Sequence, residues 1–301
     1  MAIEITFLGT SSMVPTKERN VQSIYLEYKG EGILVDCGEG TQRQMNIAGI
    51  NRLKVKKILI SHWHGDHVSG LIGLIQTIGN VAEPGTLTIY GPPGTKKHMG
   101  HLLESCIFDL RIKLEIKEIK TEKKAVFFEN EDYQLEAAPL DHGVPCLGYA
   151  FVEKNKRNIN MDKAKKLGLE PGPLLGKLQK GQAVKHDGKT IKPDDVSTIK
   201  KGKKIAFIMD TTYCKACIEL AENSDVLVSE ATYESSKKEK AEEYKHLTTE
   251  QVAMMAGQSN AKKLVLTHFS QRYKTLHDLE EEAKRIFPNT VMAYDFMKIK
   301  L

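Results

Sequence analysis

The chain has 301 residues, of which 41% are hydrophobic, and its 44 Lys or Arg against 39 Asp or Glu give a net charge of +5. This length allows a large buried core in one domain or two. No run of 18 apolar residues occurs and no basic-then-apolar leader precedes Ile3, so neither membrane insertion nor secretion is expected. The five scattered cysteines suit a reducing compartment, and the expected location is the cytoplasm.

Short β-rich runs alternate with helical or turn segments in the first half of the chain. These runs cover residues 3–8, 23–28, 32–36, 57–60 and 86–90. The second half repeats the alternation up to a helix near 276–286, which predicts an α/β fold. Residues 70–76 are apolar nearly all round, as expected of a helix packed inside a layered fold.

Four potential metal ligands follow the apolar run 58–60 within six positions. They are His62, His64, Asp66 and His67, in the pattern His-x-His-x-Asp-His. Packed just past a strand end, such donors would repel one another or stay unpaired unless a cation lay among them. Structural zinc sites are usually closed and rich in cysteine, and this segment contains none. The pattern therefore predicts a catalytic metal site, and the number of donors favours two adjacent ions over one.

Three more candidate ligands end apolar runs far along the chain. They are His142, Asp210 and His268, which follow residues 135–141, 205–209 and 264–267. Each run is expected to be a short buried strand, and a sheet would bring the ends of such strands to a common edge. Taken singly, each residue could be an ordinary strand-end turn. As a set, the three complete two coordination spheres.

Residues 154–204 break the alternation of strands and helices. They hold 15 Lys or Arg against 5 Asp or Glu, a net charge of +10, so the rest of the chain is acidic by five. Within them, 168–181 is rich in glycine and proline and poor in core-sized side chains, which predicts a flexible arm that protrudes rather than packs. Such a charge run is usually a solvated linker. The alternative is a surface that binds the phosphates of RNA.

Two glycine-containing turns resemble nucleotide-binding loops without matching them. Residues 91–97 follow a strand, but Lys96 stands where a P-loop requires glycine. Gly38 and Gly40 lack the third glycine of a dinucleotide fingerprint, because Arg43 holds that position. Both segments are interpreted as strand-to-helix turns, and no nucleotide cofactor is expected.

Cys214 and Cys217 have the spacing of a redox pair. No second pair accompanies them and no thioredoxin-like context surrounds them. Two buried thiols at the start of a helix are the favoured interpretation.

The chain resembles the metallo-β-lactamase superfamily and, within it, the ribonuclease Z family. Beyond the metal motif, residues 15–20 resemble the family's proline-to-Arg-Asn loop and residues 36–44 its strand-to-helix turn. Residues 229–232 are similar to its His-Glu-Ala-Thr box and residues 246–248 to its His-Ser-Thr box. The resemblance extends from Thr6 to Tyr273, nearly the whole chain. It implies a four-layer αββα sandwich with the metals at one edge of two sheets.

The chain departs from the family pattern at four positions. These are Ser229, Leu247, Met209, which stands where many members have glycine, and Trp63, which lies between the first two histidines. None of these departures removes a ligand or a titrating group, so the expected chemistry is unchanged.

The resemblance also implies which residues hold the ions. One ion is expected on His62, His64 and His142, the other on Asp66, His67 and His268, with Asp210 bridging the two. The expected ions are Zn²⁺, with Mn²⁺ as an alternative. The expected substrate is precursor tRNA, from which the family removes the 3′ trailer, and two copies of the chain are expected to form a homodimer.

The chemistry follows from these parts. Two divalent ions lower the pKa of a bound water from about 15.7 towards ~7, so the expected nucleophile is a metal-held hydroxide. Asp66 is expected to orient this nucleophile and take its proton. The departing ribose 3′ oxygen needs a proton, which a histidine with a pKa of about 6.5 can give. By the match to the two boxes, His246 is the candidate acid and Glu230 holds its tautomer.

Phosphate contacts are assigned to four basic residues. Arg272 and Lys17 are candidates near the cut, while Lys177 and Lys180 lie in the basic segment, which resembles the Gly-Pro-containing arm with which the family grips tRNA. A glyoxalase II-like thioesterase or a small-molecule phosphodiesterase would share the metal ligands but needs neither the arm nor the Glu230 and His246 pair. An RNA-binding protein with a decayed centre would have lost ligands, and all seven are in place.

Overall fold

A computed structural model describes residues 2–301. The first half contains β1 (Ile3–Gly9), β2 (Ser11–Ser12), β3 (Ser23–Tyr28), β4 (Glu31–Val35), α1 (Thr41–Ile47), β5 (Val55–Leu59), α2 (Gly65–Val68), α3 (Leu71–Gly79), β6 (Thr86–Gly91), α4 (Thr95–Glu104), β7 (Lys113–Glu118) and β8 (Ala125–Glu129). The predicted strands of this half are confirmed.

The second half is equally mixed. It contains β9 (Tyr133–Asp141), β10 (Pro145–Glu153), β11 (Lys156–Ile159), α5 (Met161–Lys166), α6 (Pro173–Gln179), β12 (Val184–His186), β13 (Lys189–Ile191), α7 (Pro193–Val196), β14 (Ser197–Lys200), β15 (Lys204–Ile208), α8 (Lys215–Ala221), β16 (Val226–Glu230), α9 (Lys238–Glu243), α10 (Thr249–Gln258), β17 (Leu264–Thr267), β18 (Phe269–Ser270), α11 (His277–Ile286), β19 (Thr290–Met292) and β20 (Lys298–Lys300). The helix expected near 276–286 is α11.

Two compact units divide these residues. The larger unit comprises the described chain up to Phe128, Leu135–Phe151 and Lys204–Leu301, and the smaller comprises Glu129–Gln134 and Val152–Lys203. None of the described helices is both long and apolar enough to cross a bilayer.

Two seven-stranded sheets form the larger unit's centre. Their strand orders are β20-β1-β3-β4-β5-β6-β7 and β19-β17-β16-β15-β10-β9-β8. The sheets face each other, and Tyr28 of one meets Phe151 of the other edge to face with ring centroids 5.3 Å apart. Helices α1 and α4 contact the first sheet, and α8, α10 and α11 contact the second. This arrangement confirms the four-layer αββα sandwich.

Parallel pairing brings several strand ends to one edge of this sandwich. Strands β4, β5 and β6 are parallel in the first sheet, and β15, β16 and β17 are parallel in the second. Their side chains are apolar and buried on both faces; Leu34, Ile58 and Val228 are fully buried. The carboxyl ends of these strands carry the polar residues of the candidate site.

The smaller unit has a hydrophobic core of its own. Strands β11 and β14 pair, β12 and β13 pair, and α5, α6 and α7 accompany them. The Asn160 side chain caps α5 by accepting a hydrogen bond from the Lys163 N–H at 3.1 Å. The core consists of Ala164, Leu169, Leu175, Leu178, Val184, Ile191 and Val196. The prediction that 168–181 lacks core-sized side chains is wrong, because three of its leucines pack there.

Candidate metal centre

One group of four side chains gathers around Asp210. His62 Nε2 lies 2.9 Å from His64 Nδ1, and His142 Nε2 lies 3.2 Å from the same atom. The Asp210 Oδ2 atom is 3.7 Å from His62 Nε2 and 3.5 Å from His142 Nε2. These four residues can hold a metal ion.

A second group lies on the other side of Asp210. His67 Nε2 and His268 Nε2 are 3.2 Å apart, and Asp66 Oδ2 is 3.4 Å from the first and 3.5 Å from the second. Asp210 reaches both histidines, with Oδ2 3.5 Å from His67 Nε2 and Oδ1 3.3 Å from His268 Nδ1. Asp66, His67 and His268 can likewise hold an ion. The sequence-predicted ligands thus lie together in two adjoining groups.

The donor set fits metal cations better than it fits a hydrogen-bond network. Facing imidazole nitrogens have too few protons to satisfy one another, because a neutral ring carries only one N–H. The Asp210 Oδ1 atom is buried and accepts no hydrogen bond. An orphaned carboxylate oxygen in the interior is costly unless a cation occupies the space beside it. Imidazole and carboxylate are also the ligands of zinc sites that keep a position open for water.

The charges of the site also call for a cation. Burial lowers the pKa of His62 well below its ordinary value and, to a lesser extent, that of His64, so both rings are neutral and able to bind metal. Burial opposes a charge on His67, but Asp210, Asp36 and Asp66 together raise its pKa well above the ordinary value. A protonated His67 therefore supplies the positive charge that divalent ions would supply more effectively.

Asp36 and Ser61 support the centre from behind, and the sequence reasoning missed both roles. Asp36 Oδ2 lies 2.8 Å from His67 Nδ1, which leaves Nε2 of that ring facing the site. Ser61 donates its N–H to Asp36 Oδ1 at 2.8 Å and lies 3.0 Å from His62 Nδ1 through its hydroxyl. Such outer contacts fix the tautomer and orientation of ligating histidines. Asp36 and His268 both adopt positive φ, near 60°, which places their side chains towards the site.

Glu230 and His246 form a hydrogen-bonded pair beside Asp210. His246 Nδ1 lies 3.0 Å from Glu230 Oε2 and 3.9 Å from Asp210 Oδ2. Glu230 is fully buried and also accepts the Thr211 N–H at 2.9 Å and the Thr232 hydroxyl at 2.5 Å. Because these donors already fill its oxygens, Glu230 is suited to holding His246 rather than an ion.

The pKa of His246 reflects this pairing. Burial lowers it, but the charges of Glu230 and Asp210 prevail and raise the pKa to about 9. The ring is therefore protonated at neutral pH and can donate through Nε2, since Nδ1 faces the carboxylate. A cavity of about 560 Å³ opens onto this ring and onto Asp66, His64, His142 and Asp210, with Met13 and Tyr244 at its rim.

The other predicted residues occupy separate places. Lys17 is exposed in the loop after β2, and Arg19 of that loop donates to the Tyr273 carbonyl at 2.8 Å. Arg272 is exposed with its guanidinium 5.0 Å from the ring centroid of Tyr233, a ring whose centroid is 5.9 Å from that of His246. In the smaller unit, the side chains of Lys177 and Lys180 are exposed.

The departures from the family pattern are accommodated by packing. Met209 is buried and its sulfur accepts the Gln22 amide at 3.0 Å. Ser229 is buried in β16, where its hydroxyl donates to the Glu230 carbonyl at 3.1 Å, and Leu247 is fully buried. Trp63 donates its indole N–H to Thr95 Oγ1 at 3.0 Å.

The glycine turns are explained by close contacts between backbones. A Cβ on Gly38 would lie 2.2 Å from the Asp66 carbonyl oxygen, and one on Gly70 would lie 2.1 Å from that of Gly38. These glycines let the turn after β4 pack against the metal motif. Residues 92–94 link β6 directly to α4, which confirms a strand-to-helix turn.

The expectation of two buried thiols holds for only one cysteine of the pair. Cys217 is buried and Cys214 is half-buried, with their sulfurs 3.3 Å apart at the start of α8.

Comparison with known proteins identifies the class to which this fold and site belong. The family described as the metallo-beta-lactamase superfamily matches residues 16–137. The crystal structure of human tRNase Z, short form, superposes with a TM-score of 0.73 at 28% identity and covers 98% of each chain. The protein is thus a member of the metallo-β-lactamase superfamily.

Curated relatives narrow this assignment. The chain is 41% identical to ribonuclease Z of Methanothermobacter thermautotrophicus, over 99% of this chain and 97% of the relative. It is 40% identical to ribonuclease Z of Bacillus cereus, over 97% of each. The chain belongs to the ribonuclease Z family.

Proposed function

We propose that the protein is a metal-dependent endoribonuclease that removes the 3′ trailer from precursor tRNA and leaves a 3′-hydroxyl on the tRNA. The observation that carries the proposal is the buried Glu230 bound to His246 at the edge of the Asp210-centred donor groups. This pair provides a proton donor for a poor leaving group, an alkoxide. A thioesterase expels a thiolate, which leaves without such a donor.

We propose that two ions occupy the centre and that both are zinc. His62, His64 and His142 would hold one ion, Asp66, His67 and His268 the other, and Asp210 would bridge them. The predominance of imidazole donors favours zinc, whereas Mn²⁺ is favoured by oxygen-rich sites. When bound, the ions would make water nucleophilic at neutral pH and neutralise phosphate oxygens during in-line displacement.

Asp66 orients the attacking water in this proposal. Burial alone would raise its pKa, but His67 and His268 lower it below its ordinary value, so the carboxylate stays ionised throughout the working range. Its Oδ2 atom accepts the Met13 N–H at 2.8 Å, which fixes the carboxylate at the floor of the cavity. An ionised, fixed carboxylate can accept a hydrogen bond from water and receive its proton.

His246 protonates the departing 3′ oxygen. The contact of Nδ1 with Glu230 directs Nε2 away from the carboxylate, and the ring lines the cavity. Glu230 acts as a positioning residue that holds the tautomer and stabilises the charged ring. Arg272 and Lys17 contact phosphates near the cut.

The smaller unit binds the body of tRNA in this proposal. Its lysines, Lys177 and Lys180 among them, are exposed, and the apolar core beneath holds them on a folded scaffold. Such a surface supplies affinity without reading sequence, as recognition of a folded tRNA body requires. Two copies of the chain form a homodimer in the cytoplasm, and light scattering that finds a single-chain mass would contradict the dimer.

The test is cleavage of labelled precursor tRNA by the purified protein with added Zn²⁺ or Mn²⁺. We expect a single cut, with a 3′-hydroxyl on the tRNA fragment and a 5′-phosphate on the trailer. Lactoylglutathione and cyclic nucleotides serve as the alternative substrates. Hydrolysis of either of these, with precursor tRNA left intact by the metal-loaded protein, would overturn the proposal.

A further inference from the structure

A second cavity adjoins the catalytic one on the side of His64. It has a volume of about 210 Å³ and is lined by Trp63, His64, Pro93, His98, Val144 and Pro145. His64 also lines the catalytic cavity, so the two spaces share one wall. None of the roles assigned above uses this second cavity.

Its walls are aromatic and held in place. The Trp63 and His98 rings stack with centroids 5.1 Å apart and planes inclined by 28°. The Trp63 N–H donates to Thr95 Oγ1 at 3.0 Å, and Thr95 is itself buried and anchored to the Pro92 carbonyl. Val144 is 38% exposed at the opposite wall. An ordered aromatic pair opposite an exposed aliphatic side chain forms a slot for a flat, largely apolar group.

A nucleobase matches this slot. Single-stranded RNA is recognised mainly by unstacked bases that pack on aromatic side chains, and such stacking tolerates any base. The cavity walls carry no Lys, Arg, Asp or Glu, which makes the slot unsuited to a phosphate or a metal ion. Its only ionisable wall groups are the imidazoles of His64 and His98. The continuity through His64 places a bound base next to the reacting phosphate.

The direction of the reaction selects the nucleotide. The departing 3′ oxygen belongs to the last nucleotide that the tRNA retains, so this nucleotide must lie beside His246. Ring contacts run from His64 to His142 and from His142 to His246, each with centroids 5.0 Å apart. The slot beyond His64 is therefore at the opposite end of this row from His246. The nucleotide across the scissile phosphate, the first of the trailer, is the one directed towards it.

We propose that Trp63 and His98 form a stacking subsite for the base of the first trailer nucleotide. The inference rests on the proposed function and extends it, because it assigns a trailer-side contact that no metal ligand provides. The subsite favours no particular base, and it promotes cleavage by holding the RNA strand across the metals. Removing one base-stacking contact costs ~1–3 kcal/mol, which is about 5- to 150-fold in kcat/KM.

The experiment measures coupling between His98 and the base. Wild type, His98→Ala and His101→Ala are compared on precursor tRNA with an intact or an abasic first trailer nucleotide. His101 is exposed on the same helix and does not line the slot, which makes it the matched control. We expect the abasic substitution to lower kcat/KM by about 5- to 150-fold for wild type and His101→Ala, and to have little further effect on His98→Ala.

Further arms separate the alternatives. His98→Phe restores a stacking ring and is expected to recover the response to the base, while metal analysis of each variant shows that the ligands remain loaded. A second substrate is abasic at the last retained nucleotide, and we expect it to affect all variants equally. An equal response of wild type and His98→Ala to the trailer base would overturn the proposal, as would coupling to the retained base instead. If the wild type cuts no precursor at all, the proposed function falls and this inference with it.

Discussion

At the metal centre the polar side chains are buried, while in the smaller unit the buried side chains are apolar and the polar ones face water. His62, His67, Glu230 and His268 are fully buried, and each is held by another side chain. In residues 152–203 the interior is a cluster of aliphatic side chains. Polar atoms organise one region, and hydrophobic contacts organise the other.

The difference reflects what each region must do. Binding metal and transferring protons require atoms fixed within fractions of an ångström, which buried hydrogen bonds to strand ends provide. Attraction of phosphates depends on charge and tolerates movement, so a small scaffold that holds lysines in water is sufficient. Variants in the centre should therefore change the rate of the chemical step, and variants in the smaller unit should change tRNA affinity.

Metal removal should have the largest effect. We expect a chelator to abolish cleavage completely and added Zn²⁺ to restore it, because the buried carboxylates cannot replace the function of the ions. Elemental analysis should find close to two ions per chain. A fully active protein with one ion per chain would contradict the binuclear arrangement.

His246→Ala should lower turnover by roughly 10²–10⁴-fold, because the departing oxygen loses its proton donor. Metal content and tRNA affinity should stay near those of wild type. Asp66→Ala should instead reduce both metal content and rate, since this residue belongs to the donor set. His277→Ala, an exposed histidine on α11, is the matched control. Full activity of His246→Ala across the pH range would refute the assignment.

Deleting residues 160–190 and joining the ends with a short Gly/Ser linker should separate recognition from chemistry. The deletion removes seven lysines, and we expect tRNA affinity to fall by about 10- to 1000-fold at moderate salt. Hydrolysis of bis(p-nitrophenyl) phosphate should persist, because the metal ligands lie outside the deleted residues. The fall of tRNA affinity with salt should also become less steep. Equal affinity and equal salt dependence in the two proteins would show that the basic segment is an ordinary solvated surface.

The rate should decline at high pH as His246 loses its proton. Burial lowers its pKa, but Glu230 and Asp210 raise it to about 9, while the ordinary value is 6.5. Bound cations lower it again, so the decline should fall between these limits and amount to about tenfold per pH unit beyond the pKa. Glu230→Gln removes a raising charge, and the decline should then move to lower pH. A profile that is identical in the two proteins would exclude this coupling.

The strand pattern and the seven ligands could be predicted from sequence because each ligand ends an apolar run, and strand ends meet at one edge. The Asp36 contact with His67 could not, since it joins residues 31 positions apart and depends on the packing of two loops. The core of the smaller unit was also missed. Its buried residues are scattered over 164–196 without a regular period, and the glycines and lysines between them dominate the composition.

The smallest effect is expected from single charges on the smaller unit. Lys177→Gln and Lys180→Gln should each weaken tRNA binding a few-fold, equally for different precursors, because phosphate contacts carry no sequence information. Each should also reduce the slope of log affinity against log salt by about 1 if the lysine neutralises one phosphate. Lys56→Gln, an exposed lysine on β5, is the control and should leave both quantities unchanged. If Lys56→Gln weakens binding as much as the two variants, the contribution is one of overall charge, and the smaller unit is not a dedicated tRNA-binding surface.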